Sequence, residues 1–142
     1  MAQSSKKHRM KFSEFSYDYT VQDSDIDFNN HMNNVAYLNL INDVSGVHWD
    51  SHVTPEVSEK YFWIVRRHEI DYLGSCFLGD KLRVRTWVDE PKGATWKRFF
   101  LIETLKDNKI ILEAQTLWVL INRQTERPAR VTDEVVSVFL MK

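Results

Sequence analysis

The chain has 142 residues, of which 43% are hydrophobic and 27% are charged, and its net charge is −1. This length suits one domain that buries roughly 68% of the surface exposed by the unfolded chain. The balanced charge argues against a nucleic-acid partner, because proteins that bind nucleic acids are usually plainly basic. No apolar run reaches the roughly 20 residues that span a membrane, so we expect no membrane partner either.

The first ten residues and the single cysteine indicate how the chain is organised and which compartment suits it. The single cysteine, Cys76, excludes an internal disulfide framework and suits a reducing compartment, with the cytoplasm as the expected location. Residues 1–10 are polar and basic, and no apolar stretch follows them, which argues against a secretory signal. We interpret residues 1–10 as a flexible N-terminal tail and residues 11–142 as one domain.

The first predicted elements are a strand and a long helix, separated by an acidic loop. From Phe15 to Val21 apolar and polar residues alternate, which is typical of a half-buried strand. After the loop, the pattern predicts a helix from about Asn33 to Trp49. Its predicted apolar stripe recurs at every third residue, at Val35, Leu38, Ile41 and Val44.

The remaining pattern predicts a surface connection, four strands and a short helix. The polar segment 48–60 contains Pro55 and predicts the connection. Apolar runs bounded by turn residues then predict strands at about 61–73, 80–89, 95–105 and 110–122. Thr132 to Glu134 offers a cap and an acidic first turn for a terminal helix. Consecutive strands joined by tight turns favour an antiparallel sheet covered by the long helix, an α+β fold.

The loop from Asp23 to Asn34 is rich in ionisable and amide side chains. Three carboxylates, one histidine and four asparagines lie within its twelve residues, and it has no glycine. Asn33 and Asn34 are good capping residues for the helix that follows. Because backbone N–H groups and the helix dipole favour anions at a helix N-terminus, we interpret this loop as the active site.

Metal sites fit the loop and its surroundings poorly. A calcium-binding EF-hand loop needs Gly at its sixth position and Glu at its twelfth, and neither register, counted from Asp23 or from Asp25, provides them. His48 and His52 lack the Glu that a metalloprotease helix places after its first His. We therefore expect no metal and no cofactor.

A carboxylate beside an amide and an imidazole can act on an activated ester. An Asp can serve as general base on water, or it can attack an acyl carbonyl itself. N–H groups at the helix start can hold the developing oxyanion. A thioester suits these groups because its thiolate leaves readily. Asp25 is equally well explained by shaping the turn, whereas for Asp27 and His31 we favour a catalytic role.

The segment from Asp25 to Tyr37 resembles the Asp-x-Asp-x-x-x-His-x-Asn-Asn-x-x-Tyr segment of hot-dog-fold thioesterases, which hydrolyse acyl-CoA or acyl-ACP. The more similar branch is that of the plant and bacterial acyl-ACP thioesterases, whose catalytic Asp-x-Asn-x-His falls on Asp27, Asn29 and His31. In the 4-hydroxybenzoyl-CoA thioesterases the catalytic carboxylate also falls on Asp27. Many relatives carry glycine just before the histidine, where this chain has Asn30.

The resemblance implies a single hot-dog domain, with an antiparallel sheet of five to six strands wrapped around one long central helix and a short C-terminal helix. It implies an acyl thioester hydrolase of fatty acid metabolism that takes acyl-CoA or acyl-ACP. Single-domain relatives pair two chains, so we expect a homodimer or a dimer of dimers with sites at the interface. The implied residues are Asp27, Asn29 and His31 for catalysis, and Asn33, Asn34 and Tyr37 for substrate binding.

Two other functions stay open at this point. A hot-dog hydratase or dehydratase acting on acyl thioesters would use a similar Asp/His pair at a different spacing. A non-catalytic acyl-thioester-binding dimer would bind ligand without releasing thiol. One departure from the acyl-ACP thioesterases is that Ser75 and Cys76 stand where those enzymes place a further acidic residue.

Overall fold

The computed structural model describes residues 11–141, and the predicted tail, residues 1–10, lies outside this range. Within the described range the chain forms a strand, a long helix, a short helix, four more strands and a terminal helix. The strands are β1 Phe15–Thr20, β2 Tyr61–Tyr72, β3 Lys81–Val88, β4 Thr95–Thr104 and β5 Ile110–Asn122. The helices are α1 Asn34–Asp50, α2 Pro55–Lys60 and α3 Asp133–Val136.

The five strands make one antiparallel sheet in the order β1-β3-β4-β5-β2. The consecutive pairing expected for β3, β4 and β5 is confirmed, but β2 pairs with β5 and does not adjoin β3. β1 occupies the edge of β3 that β2 would otherwise take. A run of alternating residues predicts a strand but not its partner, because pairing depends on contacts between residues far apart in sequence.

Helix α1 packs with one face against the sheet, as expected, but the buried face differs from the predicted stripe. Ile41 and Val44 are fully buried, whereas Val35 is 60% exposed and Leu38 is only partly buried. A stripe with a spacing of three drifts around a helix that has 3.6 residues per turn. The buried positions follow the helical pattern i, i+3, i+4, i+7, i+8 and i+11: Tyr37, Leu40, Ile41, Val44, Ser45 and His48.

The connection between α1 and β2 contains a helix that the sequence interpretation missed. Thr54 caps α2 by accepting a hydrogen bond at Oγ1 from the Val57 N–H at 3.3 Å, and Pro55 occupies its first turn. Val57 is buried and joins a cluster with Phe12, Trp96 and residues of α3. Beyond Pro55, the residues of α2 are polar except for Val57, so the segment shows no apolar periodicity from which a helix could be predicted. In the structure this helix covers the end of the core with the Val57 side chain.

No helix in residues 11–141 is long and apolar enough to cross a membrane.

A polar group lies inside the core at the C-terminal end of α1. His48 is fully buried, and its Nδ1 accepts a hydrogen bond from the Arg98 guanidinium at 3.0 Å, because an arginine can only donate. The Nε2 atom therefore carries the proton and donates to Ser13 Oγ at 3.3 Å. Phe15 stacks on the imidazole at 4.9 Å between ring centroids. These contacts hold a neutral histidine between helix and sheet.

We expect acid to destabilise the protein through His48. Burial lowers the pKa of His48 to about 2, and the charge of Arg98 adds to the effect. In the unfolded chain the pKa is near 6.5. Below that pH the unfolded chain binds a proton that the native protein does not. The free energy of unfolding should therefore fall by up to about 1.4 kcal/mol per pH unit as the pH drops from 6.5 toward 2.

Urea unfolding between pH 7 and pH 4 measures this slope. His48→Gln should reduce the slope, whatever its effect on stability at neutral pH. Equal slopes in the native protein and His48→Gln would contradict the assignment.

Candidate active site

The residues from Ile26 to Met32 form a tight hairpin just before α1. Ile26 and Met32 pair in antiparallel fashion, and the Asp27 N–H donates to the His31 carbonyl at 3.0 Å. The Asn30 N–H closes the turn by donating to the Asp27 carbonyl at 3.0 Å. This backbone pairing brings Asp27 and His31 side by side at the base of the turn.

Asn30 has φ of +64°, in the left-handed region that Gly prefers and Asn tolerates. The conformation explains why relatives can carry glycine at this position. Within the same turn, the Asn29 N–H donates to Asp27 Oδ1 at 2.8 Å. Asp27 therefore both shapes the turn and presents a second carboxylate oxygen, Oδ2, which has no hydrogen-bond partner among residues 11–141.

Asp25 is engaged in the structure of the loop. Its Oδ2 accepts from the Tyr19 hydroxyl at 2.5 Å and from the Gln22 N–H at 2.9 Å. Burial, together with the bond to Asp25, raises the pKa of Tyr19 to about 12. Of the two readings of Asp25, the contacts favour the one in which it shapes the turn.

The start of α1 is capped as the sequence predicts. Asn33 Oδ1 accepts from the Val35 N–H at 2.7 Å, and the Asn33 N–H donates to the Asp25 carbonyl at 2.8 Å. The Asn34 N–H has no acceptor in the described part of the chain. A free N–H at the positive end of a helix of 17 residues is suited to an anion.

His31 contacts a residue that sequence reasoning did not select. Its Nδ1 lies 3.1 Å from Ser75 Oγ, and its ring meets Phe77 edge-on at 5.1 Å. The Met32 N–H donates to the Cys76 carbonyl at 3.0 Å, which places the two segments in contact. These residues are more than 40 positions apart, so no local pattern could have revealed the pair.

Tyr37 lies beneath the site. Its side chain is 2% exposed, and its hydroxyl is 3.0 Å from Cys76 Sγ. Burial raises the pKa of both groups. Cys76 is a free, buried thiol whose sulfur also contacts Met32 at 3.5 Å, so it acts as a small packing residue. The structure thus brings Tyr37 under the loop, where it supports Met32.

The surface around the hairpin is exposed to solvent and carries both polar and apolar side chains. Asn29 and His31 are exposed and Asp27 is half-buried. A cavity of about 300 Å³ lies beside the helix start, lined by Asp25 and Asn33 but by none of those three residues. Four large apolar side chains around the hairpin and the start of α1 are exposed to between 49% and 94%, and we call them the rim patch: Phe28, Val35, Phe77 and Leu78.

Within residues 11–141, no group of three or more His, Cys, Asp or Glu side chains is arranged to hold a metal ion.

Known proteins are similar to this sequence over much of its length. Residues 13–139 match the family model of the acyl-ACP thioesterase N-terminal domain. A chloroplastic acyl-[acyl-carrier-protein] hydrolase from Cuphea viscosissima is 30% identical over 105 residues, which cover 73% of this chain and 24% of that protein. The chain therefore spans about a quarter of the length of the curated relatives it matches first.

Solved structures share the fold. A 1,4-dihydroxy-2-naphthoyl-CoA thioesterase from Synechocystis matches with a TM-score of 0.78 at 17% identity, covering 89% of this chain and 95% of that one. The 12:0-ACP thioesterase from Umbellularia californica matches with a TM-score of 0.77 at 21% identity, covering 91% of this chain and 51% of that one. The predicted α+β hot-dog fold, with five strands around one long helix, is confirmed. Because the family match extends over residues 13–139, the chain belongs to the acyl-ACP thioesterase family.

Proposed function

We propose that this chain hydrolyses acyl thioesters of ACP or CoA at the hairpin before α1. The observation that carries the proposal is the position of Asp27. Its backbone pairs with His31, one of its carboxylate oxygens is free, and the uncapped Asn34 N–H lies at the adjoining helix start. Family membership supports the same reaction class. The buried free thiol of Cys76 suits a reducing compartment, and a cytoplasmic location stays a prediction.

Asp27 is the proposed base or nucleophile. As a base, its free oxygen takes a proton from water while the water oxygen bonds to the thioester carbon. As a nucleophile, the same oxygen bonds to that carbon and forms an anhydride, which water then cleaves. In both routes the C–S bond breaks and the thiolate leaves with the electron pair, then gains a proton.

The neighbouring groups have supporting roles in this proposal. The Asn34 N–H, at the positive end of the α1 dipole, would stabilise the oxyanion. Asn33 holds this helix start by its cap, and Asn29 would orient the water or the substrate. His31, restrained by Ser75, would position or polarise the thioester. Tyr37, in contrast, would act through the packing below the loop.

A second copy of the chain would deepen the open site. β2 is an edge strand of the sheet, and its last residue, Tyr72, donates from its hydroxyl to the Asn34 carbonyl at 3.4 Å. The β2 edge therefore continues into the rim patch. Unpaired strand edges and exposed apolar patches favour association, so we propose a homodimer through this surface, with a dimer of dimers as a further step.

Asp27→Asn should lower the rate of thiol release from acyl-CoA and acyl-ACP substrates by roughly 10²–10⁴-fold, because it removes the general base or nucleophile. The matched control is Asp23→Asn, an exposed carboxylate of the same loop, which should retain the native rate. Thermal melting checks that both variants are folded.

The same substrate panel separates the alternatives. Full turnover by Asp27→Asn would show that the catalytic groups lie outside this loop. Binding of acyl-CoA by the native protein without thiol release would indicate the non-catalytic binder. Hydration of crotonyl-CoA would indicate the hydratase.

Ser75→Ala should lower kcat about fivefold, since it releases a hydrogen bond worth roughly 1 kcal/mol that restrains His31. KM should change little, because the Ser75 contact restrains His31 and does not hold the substrate. Ser16→Ala, on the exposed face of β1, is the control. An unchanged kcat would show that the Ser75 contact does not serve catalysis.

Phe28→Ser should raise the dimer dissociation constant at least tenfold, because burying a phenylalanine side chain contributes roughly 1.5–3 kcal/mol. Phe28 is 94% exposed in the single chain, so the variant should not lower the melting temperature of the monomer. Analytical ultracentrifugation measures the constant, with Met141→Ser as a control at an exposed apolar residue outside the rim patch. A chain that is fully active as a monomer would contradict the proposed assembly.

A further inference from the structure

In three places within residues 11–141 a serine hydroxyl lies within hydrogen-bond distance of an imidazole nitrogen. One of these contacts joins Ser75 to His31 at the hairpin, and the other two lie at the C-terminal end of α1. An imidazole that accepts the hydroxyl proton turns serine into an effective nucleophile. The three contacts differ in which atom carries the proton.

The two contacts at the C-terminal end of α1 cannot activate a serine. His48 Nε2 donates its own proton to Ser13 Oγ, so it cannot take one from that hydroxyl. His52 Nδ1 lies 3.1 Å from the His48 carbonyl oxygen, which only accepts, so this nitrogen carries a proton as well. The Ser51 hydroxyl donates to the same carbonyl at 3.0 Å. Both serines therefore keep their protons in these contacts.

The contact between Ser75 and His31 permits proton transfer. Ser75 Oγ and His31 Nδ1 are 3.1 Å apart, and neither atom has another hydrogen-bond partner in the described part of the chain. The hydroxyl can therefore donate to Nδ1, which is the arrangement of a nucleophile beside its base. Both side chains are exposed, so a substrate can reach the hydroxyl oxygen.

The backbone on both sides of Ser75 is held in place. The Gly74 N–H donates to the Ile111 carbonyl at 3.2 Å, and the Cys76 carbonyl accepts from the Met32 N–H at 3.0 Å. Ser75 is thus positioned beside the hairpin before any ligand arrives. A nucleophile that is already positioned loses little freedom when it reacts.

Two other nucleophilic groups near the hairpin are poorly suited to react with a substrate. The Cys76 thiol is 0% exposed, and burial raises its pKa, so it is neither accessible nor ionised at neutral pH. The Tyr37 hydroxyl contacts that sulfur and is buried with it. Ser75 is the exposed alternative beside them.

We propose that Ser75 accepts the acyl group of a thioester bound at the hairpin and becomes a serine ester, with His31 as the base. Ser75 Oγ bonds to the carbonyl carbon while its proton passes to His31 Nδ1. The C–S bond then breaks, and the thiolate leaves with the electron pair and takes the proton from His31. Water later cleaves the ester, which releases the acid and restores the hydroxyl.

The proposal rests on the proposed function only for the place where the thioester binds. Hydrolysis through Asp27 does not require Ser75 to be acylated, so the ester is an additional product of the same site. In the native chain Asp27 can activate the water that cleaves this ester, which keeps it short-lived. Asp27→Asn should therefore accumulate it.

Mass spectrometry of the intact chain after mixing with decanoyl-CoA tests this step. Asp27→Asn should gain one decanoyl group to an extent roughly tenfold above the native chain, and peptide mapping should locate it at Ser75. Adding Ser75→Ala to Asp27→Asn should abolish the gain. Adding Ser51→Ala, the matched change at another contact between serine and histidine, should leave the gain unchanged.

A fluorophosphonate, which reacts with serines that have a base within reach, tests the pair without a thioester. It should label Ser75 in the native chain and in Ser51→Ala, and His31→Gln should slow the labelling by roughly 10²-fold. Thermal melting checks that the variants are folded. The proposal is overturned if Asp27→Asn carries no decanoyl group on Ser75, or if His31→Gln is labelled at the native rate.

Thiol release measured in the same samples separates this proposal from the proposed hydrolysis. Loss of turnover in Asp27→Asn without a decanoyl group on Ser75 would reject the role of Ser75 and keep that of Asp27. Full turnover in Asp27→Asn with a decanoyl group on Ser75 would reject the role of Asp27 and keep that of Ser75.

Discussion

The attachment of both ends of α1 to distant parts of the chain is the constraint on which the other features depend. At the N-terminal end the Asn33 N–H donates to the Asp25 carbonyl, and the Tyr37 hydroxyl meets Cys76 below the loop. At the C-terminal end His48 joins the helix to Arg98 on β4. Between these points the helix buries an apolar face against the sheet. These attachments fix the helix axis, which in turn places the hairpin at one end and the buried Arg98 at the other.

The hairpin shows how a short segment can combine a structural and a chemical task. One oxygen of Asp27 organises the turn by accepting from the Asn29 N–H, so the carboxylate is oriented before any ligand arrives. Preorganised groups of this kind lose little freedom when substrate binds. Phe28 and its neighbours in the rim patch are exposed in the single chain, and a second chain is the molecule that we propose to cover them.

The two ends of α1 differ in charge and in surroundings. The N-terminal end has acidic and amide groups near solvent, whereas the C-terminal end has a buried cation among aromatic rings. A protonated Arg98 without a carboxylate partner within residues 11–141 reduces stability unless something compensates for it. Neutral His48 and Thr86 supply part of that compensation through hydrogen bonds. The face of the Phe139 ring, whose centroid is 5.0 Å from the guanidinium carbon, supplies a further part.

The sequence by itself determined the strands, the long helix, the terminal helix and the chemical content of the hairpin. Alternation predicted β1, and apolar runs bounded by turn residues predicted the other strands. The Asn33 cap predicted the start of α1. These signals depend only on neighbouring residues. The family segment from Asp25 to Tyr37 is likewise contiguous, so it was visible without a structure. Only the tertiary structure decided that β2 pairs with β5, that Val35 is exposed, that Ser75 meets His31, and that Arg98 is buried beside His48. Each of these depends on residues brought together from distant parts of the chain, and local periodicity contains no information about them.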